Sequence, residues 1–225
     1  MDRFAQTNAS YQKICRVWAI AYTAACLVIF VYNIFFSTPY YWGLTAAAPL
    51  FLLVPWMLEK VARLHPNYLL HFLIHLYTAM AFGIGMVFNG YSRIPYYDKL
   101  AHTLTGFAFG MMGVILYYWL KPGHKAEPVD CGRVCWFSVS FTMLVAVGWE
   151  IFEYAINLVL HNDPQKVAET GVNDTMLDMI VCLVGALCLL PSFFAYFRKG
   201  KTGFFMKLAE SFFALSIGEN RQNQD

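Results

Sequence analysis

The chain has 225 residues, of which 59% are hydrophobic and only 13% are charged, and its mean hydropathy is +0.48. Soluble domains carry about 25% charged residues. So few charged side chains cannot cover a globule of this size, which excludes a soluble domain. The net charge is only +2, and the basic residues are spread over several loops, so no nucleic-acid partner is expected.

Six apolar stretches approach the roughly 20 residues that cross a bilayer as a helix. Hydrocarbon offers no partner to backbone amides, so spanning segments of this kind form helices. The sequence therefore predicts an all-α, polytopic helix bundle that forms a single membrane domain over residues 1–225. Pro49 and Pro55 are expected to kink the second span, and Pro191 is expected to bend the end of the sixth. The predicted spans are 17–36, 42–58, 68–87, 100–120, 134–160 and 172–197.

The distribution of Lys and Arg predicts the orientation of these spans. With six spans, both ends of the chain and the even-numbered loops share one side, and that side carries thirteen of the 16 basic residues. The other side carries only Arg93, Lys99 and Lys166. Cytoplasmic loops are enriched in Lys and Arg, so both termini are predicted to be cytoplasmic in a multi-pass protein of the inner membrane.

The two ends of the chain differ in character. The polar start MDRFAQTNASYQKICR precedes the first span, and no small-residue cleavage site follows that span. We therefore expect the first span to stay in the mature protein rather than act as a removable signal peptide. Near the other end, residues 203–217 place their large apolar side chains on one helical face. This amphipathic helix is predicted to lie on the inner membrane surface, or to pack against the cytoplasmic ends of the spans.

Polar side chains occur on the last three spans, at the end that this orientation places outside. They form pairs three or four residues apart, so each pair faces one direction from its helix. The pairs are Asp98 with His102, Glu150 with Glu153, and Asp174 with Asp178. Charged groups inside spans are costly, tend to face the bundle interior and mark function, which predicts one shared site. Interfacial or helix-capping positions are the alternative for single members of the set.

Five carboxylates and one imidazole at one depth require a compensating cation, because like charges disfavour each other's ionised forms. Apart from Lys99 and Arg93 beside the spans, the sequence offers no nearby basic residue for this role. A divalent metal ion satisfies the requirement, since carboxylates with one imidazole suit Mg, Mn, Fe or Zn. The expected ligands are His102, Glu153, Asp174 and Asp178. Bound protons are the alternative.

The third span contains another pair, His71 and His75, in its cytoplasmic half. We expect these to be hydrogen-bonded histidines of the bundle, separate from the carboxylate cluster. A separate functional role is the alternative.

Three motifs carry a family resemblance. They are YYDKLAHTLTGF from Tyr96 to Phe107, GWEIFEY from Gly148 to Tyr154, and VNDTMLDMI from Val172 to Ile180. This succession resembles the YjdF-like family of bacterial inner-membrane proteins, and is more distantly similar to the VanZ-like family, which is linked to tolerance of cell-wall-directed glycopeptides. The resemblance implies a bacterial origin and a shared polar signature of Asp98, Lys99, His102, Glu150, Glu153, Asp174, Thr175 and Asp178.

Two classes of function fit these observations. The favoured class is a metal-dependent hydrolase or transferase that acts on a membrane lipid or a lipid-linked head group. Glu150 or Asp98 would move the proton, and Lys99 or Arg93 would hold an anionic head group. The alternative is a proton- or cation-coupled transporter, for which no inverted repeat is evident. A homo-oligomer remains open, and a dimer would supply a pathway that a transporter needs.

The orientation can be tested with single-cysteine reporters and a membrane-impermeant thiol reagent. Reporters at both termini and in the loop from Lys121 to Arg133 are expected to be protected from outside, because these segments carry most of the basic residues. Reporters between Asn89 and Arg93, and between His161 and Glu169, are expected to be labelled. Labelling of the C-terminus from outside would contradict the predicted orientation.

Overall fold

The computed structural model describes residues 2–124, 127–161 and 163–217. Regular structure within these residues is helical, and none of them forms a strand. The prediction of an all-α protein with six transmembrane helices is confirmed. Six helical segments are long and apolar enough to cross a membrane: Phe4–Phe36, Pro39–Ala62, Tyr68–Val87, Tyr97–Leu120, Pro128–Val159 and Asn173–Lys199.

The described residues fall into two compact units. The first unit comprises residues 2–97 and 210–217, and the second comprises residues 98–209. Helices of the first unit are α1 (Asp2–Phe36), α2 (Pro39–Ala47), a 3₁₀ helix (Ala48–Leu53), α3 (Val54–Ala62), α4 (Tyr68–Thr78), a π-helix (Ala79–Val87) and the short α5 (Gly90–Arg93).

The second span is interrupted where the two prolines were expected to kink it. Pro55 has no amide hydrogen, so the carbonyl of Leu52, three residues earlier, loses its partner in the 3₁₀ segment. Nε2 of His75 lies 3.1 Å from this oxygen and donates a hydrogen bond to it. His75 therefore ties α4 to the interruption, and the predictions of a kink and of a hydrogen-bonded His75 are confirmed.

His71 is also hydrogen-bonded, as predicted. Its Nε2 lies 2.7 Å from Oε2 of Glu59, and Oε1 of Glu59 accepts a hydrogen bond from the backbone amide of Asn67. The side chain of Asn67 accepts from the amide of Leu70 and so caps the start of α4. Glu59 thus joins the end of α3 to the start of α4.

Helix α1 begins fifteen residues before the predicted first span, which started at Val17. Its polar first part is held by the segment that precedes α4. Asn8 accepts from the amide of Tyr68 at 2.7 Å and donates to the carbonyl of Pro66 at 3.0 Å, and Gln12 donates to the hydroxyl of Tyr68. Tertiary hydrogen bonds therefore extend the helix beyond the stretch that hydropathy alone predicts.

The second unit contains five helices before the C-terminal segment, with bounds close to those predicted for spans four to six. The sixth span consists of two consecutive helices. Pro191 lies in the first turn of the later helix, and because it has no amide hydrogen it cannot continue the hydrogen bonds of the earlier helix. The predicted bend is confirmed. The helices are α6 (Tyr97–Leu120, which begins at the boundary between the units), α7 (Cys131–Leu160, preceded by a 3₁₀ turn at Pro128–Asp130), α8 (Val167–Thr170), α9 (Asn173–Leu187) and α10 (Leu190–Lys199).

Two glycines bring the backbones of α6 and α9 into direct contact. A Cβ atom on Gly106 would lie 2.2 Å from the carbonyl oxygen of Cys182, and one on Gly185 would lie 2.2 Å from the carbonyl oxygen of Thr103. No larger residue fits at either position without moving a backbone. Small residues of this kind are typical of tightly packed membrane helices, as the sequence indicated.

The C-terminal amphipathic segment forms α11 (Phe204–Phe212) and a π-helical turn (Phe213–Ile217). Met206, Leu208 and Ala209 are buried, and Phe205 stacks on Phe107 of α6 with ring centroids 5.9 Å apart. This first part of the segment packs against the middle of α6, and its place relative to the membrane surface stays a prediction.

The glycine contact leads to a prediction about stability. Gly106→Ala is expected to destabilise the protein by about 1–3 kcal/mol or more, because its methyl group meets a backbone oxygen. Gly148→Ala is the matched control, since a Cβ there meets nothing within 4 Å and alanine is the better helix former. Thermal unfolding in detergent measures both. Equal melting temperatures for the two variants would contradict tight packing of α6 on α9.

Candidate functional site

The site lies where α6 and α9 begin. Asp98, Lys99 and His102 occupy the first two turns of α6, and Asp174 and Asp178 occupy the first two turns of α9. The glycine contact further along both helices holds these turns side by side. The prediction that these polar side chains meet is confirmed for the pairs on α6 and α9.

Lys99 forms the centre of an ion-pair network. Its Nζ lies 2.6 Å from Oδ1 of Asp174 and 2.7 Å from Oδ1 of Asp178, with Oδ2 of Asp98 at 3.4 Å. Helix α6 begins three residues before the predicted span, so Lys99 belongs to the helix and its side chain crosses to α9. The sequence-based hypothesis gave Lys99 a head group to hold, whereas here it bridges two aspartates.

A second lysine reaches the site from the loop between α7 and α9. Nζ of Lys166 lies 3.0 Å from Oδ2 of Asp98 and 3.5 Å from Oδ2 of Asp174. Burial disfavours the charged form of Lys166, but the hydrogen bond and the charge of Asp98 outweigh it and raise the pKa of Lys166. The backbone of Lys166 has a φ of 51°, a left-handed conformation that non-glycine residues adopt at a cost. Asp163 stabilises this turn by accepting from the amides of Val167 and Ala168.

His102 faces two of the aspartates. Its Nε2 lies 3.6 Å from Oδ1 of Asp98 and 3.7 Å from Oδ1 of Asp178. On the other side of the ring, Nδ1 lies 3.8 Å from Sγ of Cys182, whose thiol donates to the backbone carbonyl of His102 at 3.1 Å. One ligand atom each from Asp98, His102 and Asp178 lie within 4.8 Å of one another, a group that is able to hold a metal ion.

The two glutamates of α7 have partners of their own. Glu150 is buried, and its Oε2 and its backbone carbonyl both accept from Nε2 of Gln165 at 3.1 Å. Oε1 of Glu153 accepts from the indole of Trp149 at 2.9 Å. Gln165 and Lys166 are neighbours, so one loop contacts both α7 and the aspartates of α6 and α9.

With a neutral His102, the charges of this cluster do not balance. Three aspartates face two lysines, which leaves one negative charge over, and Glu150 and Glu153 add two more when they are ionised. Ion pairs in a region of low dielectric constant are strong only where each charge has a partner. A cation that enters among Asp98, His102 and Asp178 would offset this excess.

Some of the expected site residues come together and others do not. Asp98, predicted as a proton carrier, lies beside the predicted ligands His102 and Asp178. Glu153 and Asp174, also predicted as ligands, do not join the group of converging ligand atoms found among the described residues. Arg93 is exposed at the end of α5 and belongs to the first unit.

Gln165 and Lys166 were missed because loop residues carry no helical periodicity. The excess of carboxylates over basic residues in the sequence was the signal that could have indicated a further lysine at the site. Lys166 is the lysine in the loop between two helices that both carry carboxylates, and it was counted only for orientation.

Comparison with known proteins gives one result. A family model described as "Predicted membrane protein (DUF2238)" matches residues 15–199. No curated protein and no solved structure matches the chain. The family matched is the YjdF-like one, so that resemblance is confirmed, while the more distant likeness to VanZ-like proteins stays a prediction. The match covers the site, five of the six spans and the first span from residue 15 onward, and the chain belongs to this family of predicted membrane proteins.

Proposed function

We propose that this membrane protein is a metal-dependent hydrolase or transferase that acts on a lipid or a lipid-linked head group. The observation that carries the proposal is the convergence of Asp98, His102 and Asp178 within 4.8 Å at the start of two tightly packed helices. Two carboxylates and one imidazole are a ligand set for Mn, Fe or Zn that leaves coordination positions open for water and substrate.

The observed distances suit an ion after small side-chain rotations. Ligand atoms that sit about 2.1 Å from a metal lie roughly 3–4 Å from one another. Nε2 of His102 is already within 3.7 Å of both aspartate oxygens. Cys182 holds the opposite edge of the imidazole, and a fixed ring orientation strengthens metal binding. Asp98 therefore serves as a ligand in this proposal, rather than as the proton carrier.

The proton-transfer role falls to Glu150. Gln165 fixes the orientation of the Glu150 carboxyl group, and a general base must be held within reach of the proton that it moves. A bound metal would polarise the substrate and the attacking water. Glu153, one turn further along α7, is the second candidate for proton transfer.

A head group is the proposed substrate because the site belongs to a membrane-spanning unit and lies at the ends of its helices. The distribution of basic residues predicts that these ends lie on the outer side of the inner membrane. A lipid-linked molecule reaches such a site from within the bilayer. Membrane lipid is thus the expected partner, and the site residues of one chain suffice for the proposed chemistry.

The proposal predicts one bound Mn²⁺ or Zn²⁺ per chain after the purified protein has been stripped and reloaded. His102→Gln and Asp178→Asn are expected to weaken binding by more than about tenfold, since even removing an outer partner of a metal ligand costs that much. Their double variant should lose less than the sum of the two effects. Calorimetry and elemental analysis measure the affinity and the stoichiometry.

Asp130→Asn is the matched control for the loss of a buried, lysine-paired aspartate. Asp130 is fully buried, its Oδ2 lies 2.5 Å from Nζ of Lys121, and it precedes Glu150 by about 30 Å along α7. The metal affinity of the Asp130→Asn variant should equal that of the wild-type protein. Wild-type affinity in His102→Gln would contradict the proposed site, and cation uptake into vesicles without lipid turnover would support the transporter instead.

Glu150→Gln separates chemistry from binding. If Glu150 moves the proton, this variant should bind metal normally and lose turnover of head groups by about a hundredfold or more. The assay follows metal-dependent release of head groups from an extract of membrane lipids. Unchanged turnover in Glu150→Gln would remove Glu150 from the mechanism.

A further inference from the structure

The two lysines of the site contact the carboxylate groups that the proposed metal would use. Oδ1 of Asp178 lies 2.7 Å from Nζ of Lys99 and 3.7 Å from Nε2 of His102. Oδ2 of Asp98 accepts from Lys166 at 3.0 Å. A lysine and a metal ion therefore compete for the same two carboxylates.

Asp174 differs from the other two aspartates because it contacts both lysines and lies outside the converging ligand group. Once a metal engages Asp98 and Asp178, Lys99 and Lys166 retain Asp174 as their shared partner. With His102 neutral and Glu150 and Glu153 protonated, a divalent ion also changes the sign of the excess charge, since three aspartates then face two lysines and two further positive charges. A metal-loaded cluster of these residues favours an anion.

The position of the anion is indicated by Oδ2 of Asp98. This one oxygen atom lies 3.0 Å from Nζ of Lys166 and 3.4 Å from Nζ of Lys99, so the two ammonium groups converge on a single acceptor. If Asp98 turned this oxygen atom toward the metal, an oxygen atom of a tetrahedral anion could take its place and contact both lysines. Asp98 and His102, which would hold the metal, lie beside these lysines. Phosphate suits such a site because lysine binds it as a point charge and metal ions bridge its oxygen atoms.

We infer that the metal-loaded site binds a phosphate group through Lys99 and Lys166, so that the head group of the substrate is a phosphate ester or anhydride. The inference rests on the proposed function, because the lysines become available only when the metal occupies Asp98 and Asp178. The ordering follows directly: metal binds first, and phosphate binds second. The phosphate belongs either to a lipid head group or to a free phosphate compound.

Lys166→Gln is the most informative variant, because it should lower the affinity for phosphate without lowering the affinity for Mn²⁺. Removing this competitor for Asp98 should leave Mn²⁺ affinity unchanged or higher. Phosphate affinity of the Mn²⁺-loaded protein should fall by about tenfold or more, the loss expected for one charge-assisted contact. Lys166 is half-buried on a loop, so the variant is expected to fold, which thermal unfolding checks.

Lys121→Gln is the matched control. Lys121 also pairs with a buried aspartate, Asp130, but it lies at the opposite end of α6. Binding of inorganic phosphate is measured by calorimetry and by the ³¹P relaxation that bound Mn²⁺ causes, which reports that phosphate sits next to the metal. Only the wild type and Lys121→Gln should show strong relaxation.

The outcomes are distinct. No Mn²⁺ bound by the wild type would overturn the proposed function and this inference together. Normal Mn²⁺ binding with equal phosphate affinity in Lys166→Gln and Lys121→Gln would overturn the inference alone. Where the inference holds, nanodiscs identify the source of the phosphate. If nanodiscs that contain phosphatidic acid displace phosphate and phosphatidylcholine nanodiscs do not, the phosphate belongs to a lipid head group. Absence of displacement by either assigns it to a free phosphate compound.

Discussion

The contact between the backbones of α6 and α9 determines the geometry of the site. Gly106 and Gly185 each leave no room for a side chain, and the two helices therefore approach more closely than larger residues would permit. Asp98 and His102 precede Gly106 by two turns and one turn, while Asp178 precedes Gly185 by about two turns. Loss of the close approach would separate the two halves of the proposed ligand set, so packing and the proposed function depend on the same residues.

The polar cluster pairs its aspartates with lysines but leaves part of the negative charge without a partner. Carboxylates in a membrane-spanning unit need partners, and Lys99 and Lys166 supply them through short contacts with all three aspartates. The pairing is incomplete, and one of the oxygen atoms that it uses, Oδ1 of Asp178, also faces the imidazole of His102. The ion pairs at the other end of α6 carry balanced charge, because Asp130 and Glu127 face Lys121 and Arg133. The excess negative charge beside a neutral His102 supports the proposed metal.

Much of this arrangement could be predicted from the sequence. Hydropathy is sufficient for the six spans, and the spacing of Asp98 with His102 and of Asp174 with Asp178 is sufficient to place them on the inner faces of α6 and α9. Two kinds of information were out of reach. Asn8 and Gln12 extend α1 through tertiary hydrogen bonds that no local pattern reveals. Lys166 and Gln165 belong to a loop, where contacts depend on how the chain turns between helices and not on a periodicity.

The most direct test of the account is electron paramagnetic resonance of Mn²⁺ bound to protein whose histidines carry ¹⁵N. A single ion held by Asp98, His102 and Asp178 predicts hyperfine coupling to one imidazole nitrogen, and this coupling should disappear in His102→Gln while the wild-type coupling persists in Asp130→Asn. Bound Mn²⁺ without nitrogen coupling, or coupling that survives in His102→Gln, would contradict the central claim that these three residues form one metal site.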